Sequence, residues 1–106
     1  MKIFRGDTFK FNVKASLEDG TVYIFQPGDT VKVGIKEKLS NSKCGLYRKI
    51  DVNEATETLE VVFVHEEMKK CCEGIKVLEV ELTDTQGNVY TIYQDKIQIV
   101  GDVIDE

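Results

Sequence analysis

The chain has 106 residues, which suits one domain with a core of its own and is too short for two. Hydrophobic residues make up 42% and charged residues 31% of the chain, a balance typical of soluble globular proteins that excludes a disordered one. The net charge is -5 and the basic pairs Arg48–Lys49 and Lys69–Lys70 lie among acids, so we expect no nucleic-acid binding.

The first third of the chain predicts strands with one buried and one exposed face. Residues 9–13 alternate phenylalanine and valine with polar side chains, which is the period-two pattern of a half-buried strand. The pair Asp19–Gly20 precedes a second apolar run at 21–25, in an arrangement typical of a hairpin. After a turn predicted at 27–29, residues 31–36 repeat the alternation and predict a further strand.

The middle of the chain predicts a loop, two strands and one short helix. Residues 39–45 are polar and favour a surface loop. Strands are expected at 46–52 and 59–64. Residues 65–72 combine helix-forming residues with acids early and lysines late, and we expect Gly74 to end this helix.

The last third of the chain returns to strands. Residues 75–83 alternate, but their apolar phase changes near Val77, which predicts a bulge or a wider buried face there. A turn at 84–88 is followed by two strands, at 89–93 and 97–100.

These elements together predict the fold class. Seven to nine short strands with one short helix favour an all-β protein, and we expect an antiparallel β-sandwich of immunoglobulin-like type rather than a small barrel. The whole of 1–106 is expected to form a single domain, with 101–106 as a loose acidic tail.

The cysteines and the single histidine are the first candidates for chemistry. Cys44, Cys71 and Cys72 are an odd number without the spacing of a disulfide framework, so we expect free thiols and a reducing compartment. Zinc binding with His65 is disfavoured, because Cys71 and Cys72 are adjacent and point in different directions on a helix. We expect His65 to cap or open the short helix.

Paired acids and one tripeptide are the remaining candidates. Glu66 with Glu67, and Glu79 with Glu81, match a glycosidase dyad or a calcium cluster in composition, but a solvated face is the favoured interpretation, because any half-buried strand shows such an outward row of glutamates. The sequence 5–7 spells an integrin-binding tripeptide, for which turn chemistry is the simpler interpretation. We therefore predict no catalytic, cofactor-binding or metal-binding residues, and we do not expect an enzyme.

Two features of the sequence bear on where the protein works. The segment 1–6 lacks the apolar run of a signal peptide, so export by the general secretory route is not expected. No stretch approaches the roughly 20 apolar residues of a membrane-spanning helix, so we expect a soluble protein without a membrane partner.

Five segments of the chain carry a resemblance to a known family, and they are found at 4–13, 19–20, 28–36, 74–82 and 87–92. Their order of strands and turns resembles the N-terminal domain of phage baseplate upper proteins, which are tail structural proteins of phages and prophages of Gram-positive bacteria. The resemblance spans nearly the whole chain. It implies a virion structural module that is made in the bacterial cytoplasm and docks onto other tail and baseplate proteins, with a cyclic homo-oligomer as one arrangement. It carries over no active-site residue.

A second hypothesis comes from the aromatic residues. Four tyrosines have rings that stack on sugars in many proteins, and they are Tyr23, Tyr47, Tyr90 and Tyr93. They leave a carbohydrate-binding or adhesin-like β-sandwich as the alternative function. If docking to a protein uses strand edges instead, the exposed edges are expected to gain main-chain hydrogen bonds from the partner.

Overall fold

The computed structural model describes residues 1–36, 46–70 and 73–101. The described residues contain seven strands and one helix, which are β1 (Lys2–Phe4), β2 (Phe9–Val13), β3 (Thr30–Lys36), β4 (Leu46–Asp51), β5 (Leu59–Phe63), α1 (His65–Lys69), β6 (Gly74–Thr83) and β7 (Val89–Val100). The prediction of an all-β protein with one short helix is confirmed.

The strands form two sheets of unequal size. Five strands make one sheet in the order β1-β7-β6-β3-β4, and β2 and β5 pair with each other in the second sheet. All pairs are antiparallel except β1 with β7, which run parallel. The expectation of a purely antiparallel fold is therefore wrong at this one pair, because the strand nearest the start of the chain lies beside the last strand and not beside a hairpin neighbour.

The core is built from alternate residues of both sheets. On the five-stranded sheet, β3 buries Val31, Val33 and Ile35, and β6 buries every second residue opposite them. The fully buried rings of Phe25 and Phe63 join the same cluster from the other side. The period-two alternation seen in the sequence therefore corresponds to a real division between core and solvent.

The segment predicted as a strand at 21–25 is instead held by isolated contacts. Val22 forms a single bridge with Ser16, and Phe25 forms another with Thr56. Phe25 is buried in the core, whereas Val22 and Ile24 are exposed, and the run does not belong to a sheet ladder. The prediction of a strand over 21–25 is therefore wrong. The predicted hairpin turn is present, because the Leu17 N–H donates to the Thr21 carbonyl oxygen and the Tyr23 N–H donates to the Ala15 carbonyl oxygen, each at 2.8 Å.

Two predicted boundaries also differ from the structure. The strands expected at 89–93 and 97–100 are one continuous strand, β7, because Gln94, Asp95 and Lys96 keep their pairing with β6 although they are polar. Gly74 starts β6, and the described helix ends at Lys69.

The phase change in β6 has a different cause from the bulge predicted near Val77. The buried phase continues through Lys76, which is 3% exposed, while Ile75 is 56% exposed. The long aliphatic part of a lysine side chain can occupy a core-facing position, so the strand stays regular there.

Several predictions fall on residues outside the described ranges. These are the loop at 39–45, the free thiols of Cys44, Cys71 and Cys72, and all of the acidic tail except Gly101. In the described part of the chain, no helix has the length and apolar character needed to cross a membrane.

Candidate functional site

The long strand β7 has an edge that no other described strand covers over most of its length. On one side, β7 pairs with β6 from Val89 to Ile99. On the other side, β1 covers only its last three residues, Gln98–Val100. The main-chain N–H and C=O groups of residues 89–97 that face away from β6 are therefore not paired with another described strand, and such groups can bind an added strand.

One hydrogen bond to the first residue shows which positions of β7 point outward. The Gln98 N–H donates to the Met1 carbonyl oxygen at 2.9 Å, so the main-chain groups of Gln98 face away from β6. Because these groups alternate between the two edges of a strand, the main chain of Lys96 and Gln94 faces the same way. The Lys96 N–H already donates to Asp95 Oδ1 at 2.8 Å, so the Gln94 N–H is the donor that an added strand would meet first.

A cleft lies beside this edge, between β7 and the segment that begins with β2. It consists of two cavities of about 570 Å³ and about 270 Å³. Tyr23 and Tyr90 line the larger cavity, and Phe11 and Tyr93 line the smaller one. Lys14 lines both cavities, and we call the two neighbouring cavities together the β2–β7 cleft.

The β2–β7 cleft has an apolar floor and a charged rim. Leu78 and Val80 of β6 form the floor of the smaller cavity, and Leu82 continues it into the larger one. The carboxylates of Glu18 and Asp84 lie at the larger cavity. An apolar floor with a few polar groups at the rim is the usual composition of a binding cleft.

A bulge in β7 directs two apolar side chains into the cleft. The register passes from Val80 opposite Tyr93 to Glu81 opposite Thr91, which leaves Ile92 as an extra residue on β7. Ile92 lines the larger cavity and Tyr93 lines the smaller one. The bulge therefore lets consecutive residues contribute to the same cleft, where a regular strand alternates faces.

Tyr23 is fixed in the wall of the larger cavity by a buried carboxylate. The Tyr23 hydroxyl donates to Asp29 Oδ2 at 2.6 Å, and the Gln26 N–H donates to the same oxygen at 2.9 Å. Asp29 is only 1% exposed. Burial, the hydrogen bond to Asp29 and the negative charges of Asp29 and Asp84 raise the pKa of Tyr23 to about 12.

Asp84 is held in its ionised form by the turn that joins β6 and β7. The N–H groups of Asn88 and Gln86 each donate to Asp84 Oδ1 at 2.9 Å. The Asn88 bond is the largest influence that lowers the pKa of Asp84, and partial burial opposes it less strongly. A fixed negative charge therefore stands at the rim of the larger cavity.

The glutamates that resembled a dyad lie on the opposite, outer face of the sheet. Glu79 forms an ion pair with Lys36 (Oε1 to Nζ 3.8 Å) and accepts a hydrogen bond from Gln94 Nε2 at 2.7 Å. Glu79 and Glu81 line a cavity of only about 120 Å³ together with Tyr47. Tyr47 is thus separated from the other three tyrosines, which lie at the β2–β7 cleft.

Glu67, one of the two glutamates of helix α1, is held by contacts with the sheet and with the start of the helix. Glu67 accepts hydrogen bonds from Arg48 Nη2 at 2.5 Å and from the Val64 N–H at 3.1 Å, while its neighbour Glu66 is exposed. Partial burial raises the pKa of Glu67, but the Val64 and Arg48 contacts outweigh it and lower the pKa overall. Arg48 also lies over the Phe63 ring, 5.1 Å from its centroid. This arrangement fixes the start of α1 against the sheet.

His65 and the tripeptide at 5–7 contact each other. His65 is the first residue of α1, and its Nδ1 contacts the Gly6 carbonyl oxygen. Gly6 is buried with a φ of 96°, and the Asp7 N–H donates to the Phe4 carbonyl oxygen at 3.1 Å. Because Gly6 lies inside a tight turn against the helix, this tripeptide has a clear structural role.

Metal binding finds no support in the residues that can be placed. Across 1–36, 46–70 and 73–101, no three His, Cys, Asp or Glu side chains converge on a common point. The three cysteines lie outside these ranges.

Comparison of the chain with protein-family models finds no match, and comparison with curated proteins finds none either.

Three residues were missed at the level of sequence, and they are Asp29 behind Tyr23, Ile92 at the cleft and the buried Lys76 of β6. Asp29 was assigned only to a turn, and Lys76 and Ile92 were not singled out at all. The signal for Asp29 was its position directly after a Pro–Gly turn and before an apolar run, where a carboxylate can accept main-chain hydrogen bonds. No local signal identifies Ile92 as a bulge, because its effect depends on the pairing with β6.

Proposed function

We propose that this chain is a protein-binding module of a phage or prophage virion that contributes to assembly of the tail baseplate. The observation that supports this most directly is the unpaired edge of β7 beside the β2–β7 cleft. Val89, Tyr90 and Tyr93 are large apolar side chains left exposed on this strand. An open strand edge next to exposed apolar groups is typical of a surface that binds another protein.

The resemblance to baseplate upper proteins supplies the context of this proposal. The division into two sheets supports an immunoglobulin-like sandwich as the finer description of the fold. The partners are other tail and baseplate proteins or further copies of this chain. The net charge of -5 favours a protein partner over a nucleic acid. The proposal assigns no catalytic step and no cofactor, and it places the protein in the virion after synthesis in the bacterial cytoplasm.

The proposal is tested by co-expression with the products of the genes that flank this one. A stable complex with a tail protein, measured by size-exclusion chromatography with light scattering, is the expected result. Tyr90→Ala should weaken the complex, and Tyr47→Ala is the matched control because it removes an exposed tyrosine from the outer face. Neighbouring genes of metabolic type, together with no complex, would contradict the proposal.

A carbohydrate-binding or adhesin-like module is the second candidate function. The specific observation in its favour is that Tyr23, Tyr90 and Tyr93 lie at one cleft, together with the carboxylates of Glu18 and Asp84. Aromatic faces and carboxylates are groups that contact the apolar faces and hydroxyls of sugars.

A glycan array distinguishes the carbohydrate-binding function from the assembly function. Binding of a glycan that Tyr90→Ala abolishes and Tyr47→Ala preserves would favour the carbohydrate function. Absence of any binder at millimolar glycan would remove it.

A further inference from the structure

The unpaired edge of β7 and the β2–β7 cleft have the geometry of a receptor for one more strand. Residues 89–97 offer main-chain donors and acceptors, and the neighbouring cleft offers space for alternate side chains of an added strand. β1 already occupies the adjacent position in the sheet, but only beside Gln98–Val100. An added strand would therefore lie in line with β1, on the same side of β7, and would pair with the part of β7 that β1 does not reach.

We propose that an extended segment of a partner protein binds along residues 89–97, with alternate apolar side chains in the β2–β7 cleft and a Lys or Arg at the end near Glu18. This inference rests on the proposed function, because it states the chemistry of the partner at that same surface.

The apolar part of this preference follows from the side chains that an added strand would meet. Ile92 and Tyr93 project into the cleft from β7, Phe11 faces them from β2, and Leu78 and Val80 form the floor between. In an added strand every second side chain points to this face, because side chains alternate along a strand. Apolar residues at those positions would be removed from water by rings and branched side chains.

The basic residue follows from the charges at the larger cavity. Two acidic residues, Glu18 and Asp84, and one basic residue, Lys14, line this cavity. The buried carboxylate of Asp29 lies behind Tyr23 and adds to the negative potential. The raised pKa of Tyr23 has the charges of Asp29 and Asp84 among its causes, in agreement with such a field. A partner cation is favoured here, and a partner carboxylate is repelled.

The probe is a yeast-displayed library of random twelve-residue peptides, selected against the whole chain. Selected peptides should alternate apolar residues and carry Lys or Arg at one end. Binding of a synthesised hit should slow hydrogen exchange at the amide of Gln94 in the unmodified protein. A collection of hits without alternation, or a hit that leaves the Gln94 amide unprotected, would overturn the inference.

Two substitutions at one position separate the main-chain contact from the side chain. Gln94→Pro removes the outward N–H, and Gln94→Ala keeps it, while both lose the same side-chain bond to Glu79. Proline is tolerated where a strand N–H faces away from its partner, and circular dichroism checks that the variant is folded. Peptide affinity should fall by about tenfold or more in Gln94→Pro and by less than about threefold in Gln94→Ala. Equal losses in the two variants would overturn the main-chain contact.

A charge reversal tests the basic end of the partner. Glu18 is exposed, so Glu18→Lys changes the rim without disturbing the core. A peptide with a terminal Lys should bind about 2- to 5-fold more weakly to this variant, and the same peptide with Glu in that place should regain the loss. If the affinity of neither peptide changes in Glu18→Lys, the placement of the basic end near Glu18 is wrong.

The outcomes for the function and for this inference are separable. A tail protein that binds equally well to Gln94→Pro and to Gln94→Ala would support the assembly function and contradict strand addition. A selected peptide that protects β7, while no flanking gene product binds, would support strand addition and contradict the assembly function. A stable dimer of the chain, with the β7 amides already protected in the absence of peptide, would mean that a second copy occupies the edge, and it would overturn the inference.

Discussion

Replacing Tyr23 with phenylalanine tests whether the buried carboxylate of Asp29 fixes the wall of the β2–β7 cleft. The substitution keeps the ring and its edge-to-face contact with Phe25, where the centroids are 5.5 Å apart. It removes only the hydroxyl that donates to Asp29 Oδ2 at 2.6 Å. Asp29 then retains the Gln26 N–H on that oxygen, at 2.9 Å.

The expected cost follows from the charge and burial of the acceptor. A hydrogen bond to an ionised group contributes about 1.5–3 kcal/mol, and a buried acceptor that loses a donor falls in this range. The free energy of unfolding of Tyr23→Phe should therefore be about 1.5–3 kcal/mol lower than that of the unmodified protein. For a domain of this size, about 4 °C per kcal/mol gives a decrease in Tm of roughly 6–12 °C.

Urea denaturation followed by circular dichroism measures this difference, with Tyr93→Phe as the matched control. The Tyr93 hydroxyl donates to Asp95 at 3.2 Å, and both residues are exposed. Loss of that bond should cost less than about 0.5 kcal/mol, as is usual for exposed positions. Equal costs for the two substitutions would refute the assigned role of Asp29.

The pH dependence gives an independent check on the same contact. The pKa of Tyr23 is raised from 10.0 to about 12 in the folded protein, so the folded state holds this proton more tightly than the unfolded state. The stabilisation from the neutral phenol is therefore complete below pH 10 and is lost as pH rises towards 12. The stability difference between the unmodified protein and Tyr23→Phe should shrink across this interval. A difference that stays constant or grows from pH 10 to 12 would contradict the contact.

Three further predictions concern the remainder of the fold. Gly28→Ala should lower Tm in thermal melts more than Gly20→Ala does. Both positions have a positive φ, which costs about 1–2 kcal/mol for alanine. Only at Gly28 does the new Cβ also approach another side chain, the Cγ2 of Thr85 at 3.0 Å. Arg48→Met should lower the free energy of unfolding by about 1–2 kcal/mol at pH 7 and by less in acid. The reason is that the pKa of Glu67 is lowered in the folded protein, so its stabilisation is present above the unfolded pKa and is lost as pH falls through the folded pKa. A cost in urea denaturation that does not change in acid would contradict this. Phe25→Ala should cost about 3–5 kcal/mol in the same assay, since the ring is fully buried, and a cost under 1 kcal/mol would show that it does not contribute to the core.

Local patterning predicted the strands whose burial alternates regularly. The expectations at 9–13 and 31–36 correspond closely to β2 and β3, because alternate side chains of these strands face core and solvent. Patterning failed at β6, where Ile75 is outside and Lys76 inside, because a lysine stem can replace an apolar residue at the end of a core.

Pairing between distant strands could not be predicted from the pattern. β2 pairs with β5, about 50 residues further along the chain, and nothing in the alternation of either strand specifies the other. The cleft depends on this placement, because Phe11 on β2 meets Tyr93 on β7 only after both sheets have formed. The tyrosines were recognised as candidates from the sequence, but their division into three at the cleft and Tyr47 on the outer face required the three-dimensional arrangement.

The parallel pair β1–β7 has a consequence for how the protein is made. Lys2–Phe4 lie beside Gln98–Val100, so the ribosome must polymerise nearly one hundred residues before β1 meets its partner. At roughly 5–20 residues per second, β1 waits about 5–20 s during translation. Ile3, which is buried in the finished protein, remains without its strand partner Ile99 throughout that delay. The β1–β7 pair therefore cannot form until β7 has been synthesised, and until then the nascent chain is exposed to chaperones and to premature association.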